Sequence, residues 1–355
     1  MKAINVLITG SGAPGAPGII KSLRNNNERK INIIGVDVNP RNSGIYLVDG
    51  FFKIPKPNDK DFIPCLLDIC VNSNIDVILP LVTKELISLS RNRKLFDNNN
   101  IKISISSEET LKVANNKASL YRFLDHNSIP VPSHVLVNNI DQFKIALESL
   151  GYPKKKVCFK PPESNGSRGF RIIDDSLDQL DLLLNYKPNN TYISYHSIVD
   201  ILSNSHPFPE LLVMEYLPGA EYSVDLLVQE GRPIYTIPRY REEIKAGISS
   251  VGLTIDNEDI IEYCNLIVRK LMLNGNIGIQ VKENEEGEFR ILEINPRVQG
   301  TIVLCTGAGV NLPYLAIKLA LNEKIDENLK VKWKTTMLRY YSEVFISNTG
   351  EYFQL

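Results

Sequence analysis

Two short stretches toward the C-terminal end hold side chains whose types and spacing could do phosphate chemistry. Residues 276–283 and 288–297 read as two strands joined by a turn over 284–287. Side chains alternate between the faces of a strand, so Gln280 and Lys282 share one face of the first, and Glu293, Asn295 and Arg297 one face of the second. With a four-residue turn, Gln280 stands directly opposite Glu293. A carboxylate and two amides are hard oxygen donors of the kind Mg²⁺ takes alongside nucleotide phosphates. Arg297 could hold a phosphoryl group in transfer. The competing reading is an edge hairpin whose polar residues face water.

A second stretch could grip a polyanion. Strand 157–161 opens into Pro162-Glu163-Ser164-Asn165-Gly166-Ser167-Arg168-Gly169, and another strand, 170–173, follows at once. Small residues such as Ser167 and Gly169 let backbone N–H groups come close to phosphate oxygens, and Lys160 at the strand end adds a point charge. A Walker loop would need GxxxxGK[ST] leading into a helix, which this loop lacks. Lys117 opens a helix over 116–126, ahead of an apolar face rather than inside a charged repeat; a solvated lysine is its plainer reading.

A third candidate is the turn Gly10-Ser11-Gly12-Ala13-Pro14-Gly15, after strand 4–9 and before a helix, with Asp37 at the end of the next strand. That arrangement fits a dinucleotide fold and keeps an NAD(P)-dependent oxidoreductase open as an alternative. Against it, Pro14 and Pro17 remove N–H groups where a pyrophosphate would need them. A tight strand-to-helix turn without a dinucleotide is the preferred reading.

The elements that must position these residues change character along the chain. From residue 4 to about 105, short apolar strands alternate with helical stretches at 18–25, 61–71 and 84–96, which predicts a parallel, doubly wound sheet. Two further helical pieces, 107–114 and 116–126, lead through Ile129-Pro130-Val131-Pro132 into a strand at 134–137, and the two prolines mark a domain entry. Strands then follow one another closely (156–161, 211–217, 221–229, 233–241), which predicts antiparallel α+β lobes. The polar stretch 186–209 reads as an insertion or a connection. A chain of 355 residues exceeds one ordinary core, and the expected domains are 1–106, 107–217 and 218–355.

Composition excludes several classes. Lys and Arg number 40 against 41 Asp and Glu, without long charge runs, so nucleic acid is not an expected partner. The five cysteines, Cys65, Cys70, Cys158, Cys264 and Cys305, form no CxxC pair, which points away from disulfides and zinc and toward a reducing cytoplasm. Apolar runs such as 77–82 fall far short of the roughly 20 residues that span a bilayer, so no membrane is expected. The histidines, His126, His134, His196 and His206, form no ligand-spaced cluster.

At this point the chain resembles the ATP-grasp superfamily of ligases, most closely the single-module relatives of the carbamoyl-phosphate synthase large subunit and the pyrrolysine-pathway ligase. The motifs are the glycine turn 10–18, Asn116-Lys117-Ala118, Phe159-Lys160-Pro161 with residues 165–169, Met214-Glu215-Tyr216-Leu217-Pro218-Gly219-Ala220-Glu221-Tyr222-Ser223-Val224-Asp225, and Leu292-Glu293-Ile294-Asn295-Pro296-Arg297. The resemblance implies a Rossmann-like N-terminal (pre-ATP-grasp) domain, α/β, followed by the two-lobed α+β ATP-grasp fold. It implies ATP as cofactor with Mg²⁺ or Mn²⁺. Lys117 and Lys160 would contact ATP phosphates, Glu215, Tyr216 and Leu217 would pass the adenine, and Glu221 would take the ribose hydroxyls. Gln280, Glu293 and Asn295 would be the metal ligands and Arg297 the acyl-phosphate contact. The segment Pro238-Arg239-Tyr240-Arg241 resembles relatives whose basic residues face the reaction centre, which makes Arg241 a catalytic candidate.

The implied reaction activates a carboxylate as an acyl phosphate and passes it to an amine, thiol or similar nucleophile, releasing ADP and phosphate. One module without a glutaminase signature argues against carbamoyl phosphate synthesis itself. The alternatives are the oxidoreductase and a regulatory nucleotide-binding protein without turnover; the latter predicts lost metal ligands, whereas Glu293 and Asn295 are present. Small-molecule substrates are the expected partners, and a homodimer is compatible.

Overall fold

The computed structural model describes residues 2–164, 168–185, 191–245 and 247–355. The chain forms two compact units: Met1–Asn115, Glu221–Val281 and Glu293–Leu355 make the larger, Asn116–Ala220 and Lys282–Leu292 the smaller.

The larger unit opens with five parallel strands, β1 (Ile4–Thr9), β2 (Ile31–Asp37), β3 (Gly50–Lys53), β4 (Val77–Leu79) and β5 (Lys102–Ile103), in the order β3-β2-β1-β4-β5. The apolar β1 lies at the centre with nearly every residue buried, as a parallel strand covered on both faces requires. Connections leave β1 on one side and β4 on the other, so a topological switch point falls between their C-terminal ends. The single helix expected over 84–96 is instead a 3₁₀ turn, Thr83–Glu85, and two short helices, Leu86–Arg91 and Arg93–Asp97. The break falls at Asn92, whose amide donates back to the Ser88 carbonyl at 2.9 Å.

In the smaller unit, β6 (His134–Val137), β7 (Val157–Lys160), β8 (Arg171–Ile173), β9 (Tyr192–Ile193) and β10 (Leu211–Glu215) form a sheet in the order β6-β10-β7-β8-β9. Its core gathers Val137, Phe143, Val157, Phe159 and Val213. The described part of the polar stretch 186–209 is more than a connection. It contains β9 and the helix Tyr195–Ser203, capped by Ser194, whose hydroxyl accepts from the Ser197 N–H. Ile198 and Leu202, one helical turn apart, anchor it in the core.

A six-stranded sheet comprises β11 (Glu221–Gln229), β12 (Arg232–Lys245), β13 (Ile248–Thr254), β14 (Gly275–Glu283), β15 (Phe289–Asn295) and β16 (Thr336–Leu338), in the order β15-β14-β11-β12-β13-β16. Helix Glu258–Leu271 has Asn257 as its cap, acids in the first turn and Arg269 and Lys270 in the last, matching the helix dipole. A single apolar core joins Ile8, Ala16 and Ile19 to Ile237, Val298, Tyr314 and Ile317. That shared burial makes the N-terminal sheet and the C-terminal half one unit. No helix among the described residues is long and apolar enough to cross a membrane.

Candidate active site

The larger unit holds Glu293 and Asn295 at the end of β15 and Arg297 just after it. Asn295 donates its amide to Glu293 Oε1 at 3.1 Å, and Arg297 donates Nη2 to Asn295 Oδ1 at 3.0 Å, so the three alternate residues lie on one face as period two requires. Arg297 also donates Nε to Thr83 Oγ1 at 3.3 Å and Nη1 to the Val298 carbonyl at 2.8 Å. Burial lowers its pKa from the ordinary guanidinium value, against the pull of Glu293, Glu85 and Asp225. Gln280 stands half-buried on β14, beside β15 in the sheet.

The connection between these strands is five residues, 284–288, where four were expected. Asn284 Oδ1 accepts from the N–H groups of Glu286 and Glu288, its Nδ2 donates to Glu288 Oε2, and its own N–H bonds the Glu288 carbonyl. Glu288 is thereby drawn into the turn, and Gly287 takes a left-handed conformation, φ 79°, just before it.

Two ion pairs cross β11 and β12 on the same sheet. The register sets Tyr222 opposite Tyr240 and Ser223 opposite Arg239. Glu221 pairs with Arg241, and Asp225 with Arg239. Arg241 further donates Nε to Ser249 Oγ and Nη2 to the Gly247 carbonyl, which fixes its fork. Arg239 is 1% exposed, Asp225 fully buried, and Arg239 Nη2 reaches Gln299 Oε1 at 2.8 Å. Gln299 in turn lies over Gly278, where a Cβ would meet its amide at 2.0 Å. A side chain there would displace Gln299.

At the switch point, Thr9 donates its hydroxyl to Glu85 and accepts the Leu81 N–H, while Glu85 also accepts from Val82. Burial pushes the Glu85 carboxyl up to about 8. The glycine turn beside it is taken up by the protein's own packing. Asp37 accepts from the Gly12 and Asn39 N–H groups, Gly15 lies where a Cβ would come within 2.3 Å of Gly300 Cα, and Arg339 bonds the carbonyls of Pro14 and Gly300.

The smaller unit holds the lysines. Lys117 is the first residue of helix Lys117–His126, which Asn116 caps by accepting from the Ser119 N–H. Its Nζ donates to the Ser164 carbonyl at 3.0 Å and its N–H to the Pro162 carbonyl, so it grips the start of the glycine loop. Lys160 is 7% exposed and points Nζ at Tyr121 Oη, 3.4 Å, and the Leu292 carbonyl, 3.3 Å. The loop joins two antiparallel strands, with Phe159 opposite Arg171. Gly169 adopts φ 78°, and Ser167 lies outside the described residues. Glu215 uses its carboxylate to accept the Ser133 N–H and its carbonyl to accept the Cys158 thiol. The Tyr216 ring lies 5.2 Å from Lys282 Nζ, and Leu217 is buried.

A family description reading "ATP-grasp in the biosynthetic pathway with Ter operon" matches residues 207–342, and one reading "PylC-like, N-terminal domain" matches residues 6–104. Over residues 207–342 the chain is similar to the ATP-grasp family. It is 26% identical over 241 residues, 64% of its length, to the carbamoyl phosphate synthase large chain of Thermoanaerobacter pseudethanolicus, 20% of which is covered. The chain thus spans about a fifth of the length of the curated relatives it matches. Among solved structures, an N5-carboxyaminoimidazole ribonucleotide synthetase in complex with ADP superposes with a TM-score of 0.67 at 16% identity, over 92% of this chain and 79% of that one. A biotin carboxylase from Campylobacter jejuni gives 0.66 at 15%, over 92% and 73%. These likenesses identify the fold as ATP-grasp behind a Rossmann-like N-terminal domain.

Several residues packed around the candidate site are not singled out by the sequence. Asp225 and Arg239 carry a signal in their spacing from Glu221 and Arg241, because residues two or four apart on one strand share a face. Thr83, Glu85, Gln299 and Arg339 carried none, because their partners are distant in sequence.

Proposed function

We infer that the chain is an ATP-dependent ligase that phosphorylates a carboxylate and transfers the acyl group to an amine or another nucleophile, releasing ADP and phosphate. The observation that supports this best is the bonded run Glu293, Asn295, Arg297: oxygen donors for a metal, followed by a buried cation for a transferring phosphoryl group. Glu293, Asn295 and Gln280 offer one carboxylate and two amide oxygens, which fits Mg²⁺ or Mn²⁺ shared with phosphates and does not fit zinc. When bound, the metal supplies charge neutralisation on the phosphate chain.

In this reading Lys117, Lys160 and the loop N–H groups of Ser167 and Gly169 bind the phosphates. The main chain of Glu215–Leu217 borders the adenine, since the Glu215 side chain is committed to Ser133. Glu221 accepts from the ribose hydroxyls, and Arg241, held by Ser249 and Gly247, presents a fixed positive charge to the acid. Arg297 stabilises charge on the phosphoryl group, so catalysis is positioning plus electrostatics. No cysteine nucleophile is needed: burial pushes the Cys158 thiol up to about 12, keeping it protonated.

The test is calorimetric titration with ATP and Mg²⁺, beside NAD and NADP, followed by trapping of acyl phosphate with hydroxylamine across a panel of carboxylic acids. Metal-dependent ATP binding and a hydroxamate are expected. Dinucleotide binding without ATP binding overturns the reading.

A further inference from the structure

The strand order of the six-stranded sheet ends at β16, which pairs with β13 on one side. The Arg339 N–H bonds the Ser250 carbonyl and the Thr254 N–H bonds the Thr335 carbonyl, so residues 335, 337 and 339 turn their main-chain groups toward β13, and Thr336 and Leu338 turn theirs outward. Natural sheet edges are commonly blunted by charge, proline or a bulge. This one carries Leu338, 73% exposed, and Tyr340, 74% exposed, at its outer end.

The chain then forms a second apolar piece that its own packing does not cover. β17 (Phe345–Ile346) and β18 (Tyr352–Phe353) pair antiparallel, with the Phe345 and Phe353 rings stacked at 5.4 Å. Among the described residues, the hydrogen bonds of 342–355 stay within that segment, such as those of the Ser347 N–H to the Glu351 carbonyl and of the Gln354 amide to Ser342 and Glu343. Phe345, Ile346 and Phe353 remain exposed. A lone two-stranded hairpin is at best marginally stable in water, so this one needs a surface.

Charge says which surface. Residues 328–341 hold Lys330, Lys332, Lys334 and Arg339 and no acid, whereas residues 342–355 hold Glu343 and Glu351 and no lysine or arginine. The three lysines and the two glutamates are exposed, and none of the five forms an ion pair among the described residues. Lys21 Nζ, 5.6 Å from the Tyr340 ring, adds a further cation at the edge. Two such edges brought together would meet cation against cation; the hairpin brings apolar side chains flanked by acids, which complement the edge in both respects. The hairpin does not bond its own edge, so the matching occupant is the hairpin of another copy.

We propose that this face is a homodimer interface in which the β17–β18 hairpin of one copy docks on the β16 edge of a second, with Glu343 and Glu351 against Lys330, Lys332 and Lys334. Each copy gives one hairpin and takes one, so the contact closes on itself as a two-fold dimer. The assembly is independent of the ligase reading.

Sedimentation velocity on the full chain, from about 1 to about 100 µM, reads the association. The parent protein is expected to pass from monomer to dimer in that range, with weaker association at higher salt. The triple variant Lys330→Glu, Lys332→Glu, Lys334→Glu and the double variant Glu343→Lys, Glu351→Lys each set like charges against like, and each is expected to raise the dimer dissociation constant at least about tenfold. Mixed in equal amounts, the two variants regain opposite charges at both contacts, and the dimer is expected to return. A misfolded variant could not show that rescue. A parent that stays monomeric throughout, as it would with the hairpin closed on its own edge or reserved for a different partner, overturns the proposal. A dimer that neither reversal weakens lies elsewhere on the surface, and weakening without rescue in the mixture shows that edge and hairpin do not meet.

Discussion

Glu221 and Arg241 face each other across β11 and β12 as an ion pair, so the acid assigned to the ribose and the arginine assigned to the reaction centre hold one another in place. Glu221 is half-buried and Arg241 is fixed further by Ser249 and Gly247. Glu221→Ala removes a ribose acceptor and a counter-charge together. We expect the ATP concentration for half-saturation to rise about tenfold, equivalent to roughly 1.4 kcal/mol, with a smaller loss of maximal rate. Saturation curves at fixed Mg²⁺ measure it. A changed preference among acids, with ATP affinity intact, would show that Glu221 acts on the other substrate.

Glu293 is the charged member of the proposed metal set and accepts from the Asn295 amide at 3.1 Å. Glu293→Gln keeps the shape and an oxygen but removes the charge. The expected result is a folded protein whose Mg²⁺-dependent ATP turnover falls at least about a hundredfold, close to 3 kcal/mol of lost transition-state stabilisation. Unchanged turnover with unchanged Mg²⁺ dependence would sink the metal assignment.

The fold was legible because two periodicities are strong here. Strand Ile4–Thr9, buried along nearly its whole length, and the alternation after it point to a parallel sheet; the close succession of strands after His134 points to antiparallel pairing, which β6, β10, β7 and β8 and then β11, β12 and β13 show, whereas β8 and β9 pair in parallel. What escaped was set by side chains acting on local backbone: Asn92 breaking a helix, Asn284 lengthening a turn, Ile198 and Leu202 turning a polar stretch into a packed helix. At the candidate site, Glu293, Asn295 and Arg297 were readable because they lie two apart on one strand. Thr83 and Arg339 were not. They reach Arg297 and Gly300 from 214 and 39 residues away, and no spacing rule connects such pairs.

Gly15 offers a test of the turn as a packing joint. A methyl group there would lie 2.3 Å from Gly300 Cα, a backbone atom that cannot rotate aside. Gly15→Ala is expected to cost about 2 kcal/mol or more, in the range of overpacked cores. The midpoint of urea unfolding reads it, with the slope checked for two-state behaviour. A midpoint unchanged from the parent protein would mean that the two segments separate freely.

Glu85 gives a pH signature. Its carboxyl is 2% exposed, accepts from Thr9 and Val82, and is pushed up to about 8 from an ordinary 4.5 because burial disfavours the charged form more than those bonds favour it. Below about 4.5 both folded and unfolded chains hold the proton and Glu85 adds no pH dependence. Between 4.5 and about 8 the unfolded chain has released a proton that the folded chain keeps, so this group makes folding less favourable as pH rises, by up to roughly 1.4 kcal/mol per pH unit. Glu85→Gln retains an oxygen for the Thr9 hydroxyl and cannot ionise. Its stability relative to the parent is therefore expected to improve steadily from pH 5 to pH 8, whatever the offset at pH 5. Thermal melts of both proteins at pH 5, 6.5 and 8 decide it: parallel curves would place the Glu85 ionisation near its ordinary value, and the buried carboxyl would then be charged at the switch point, opposite in sign to Arg297.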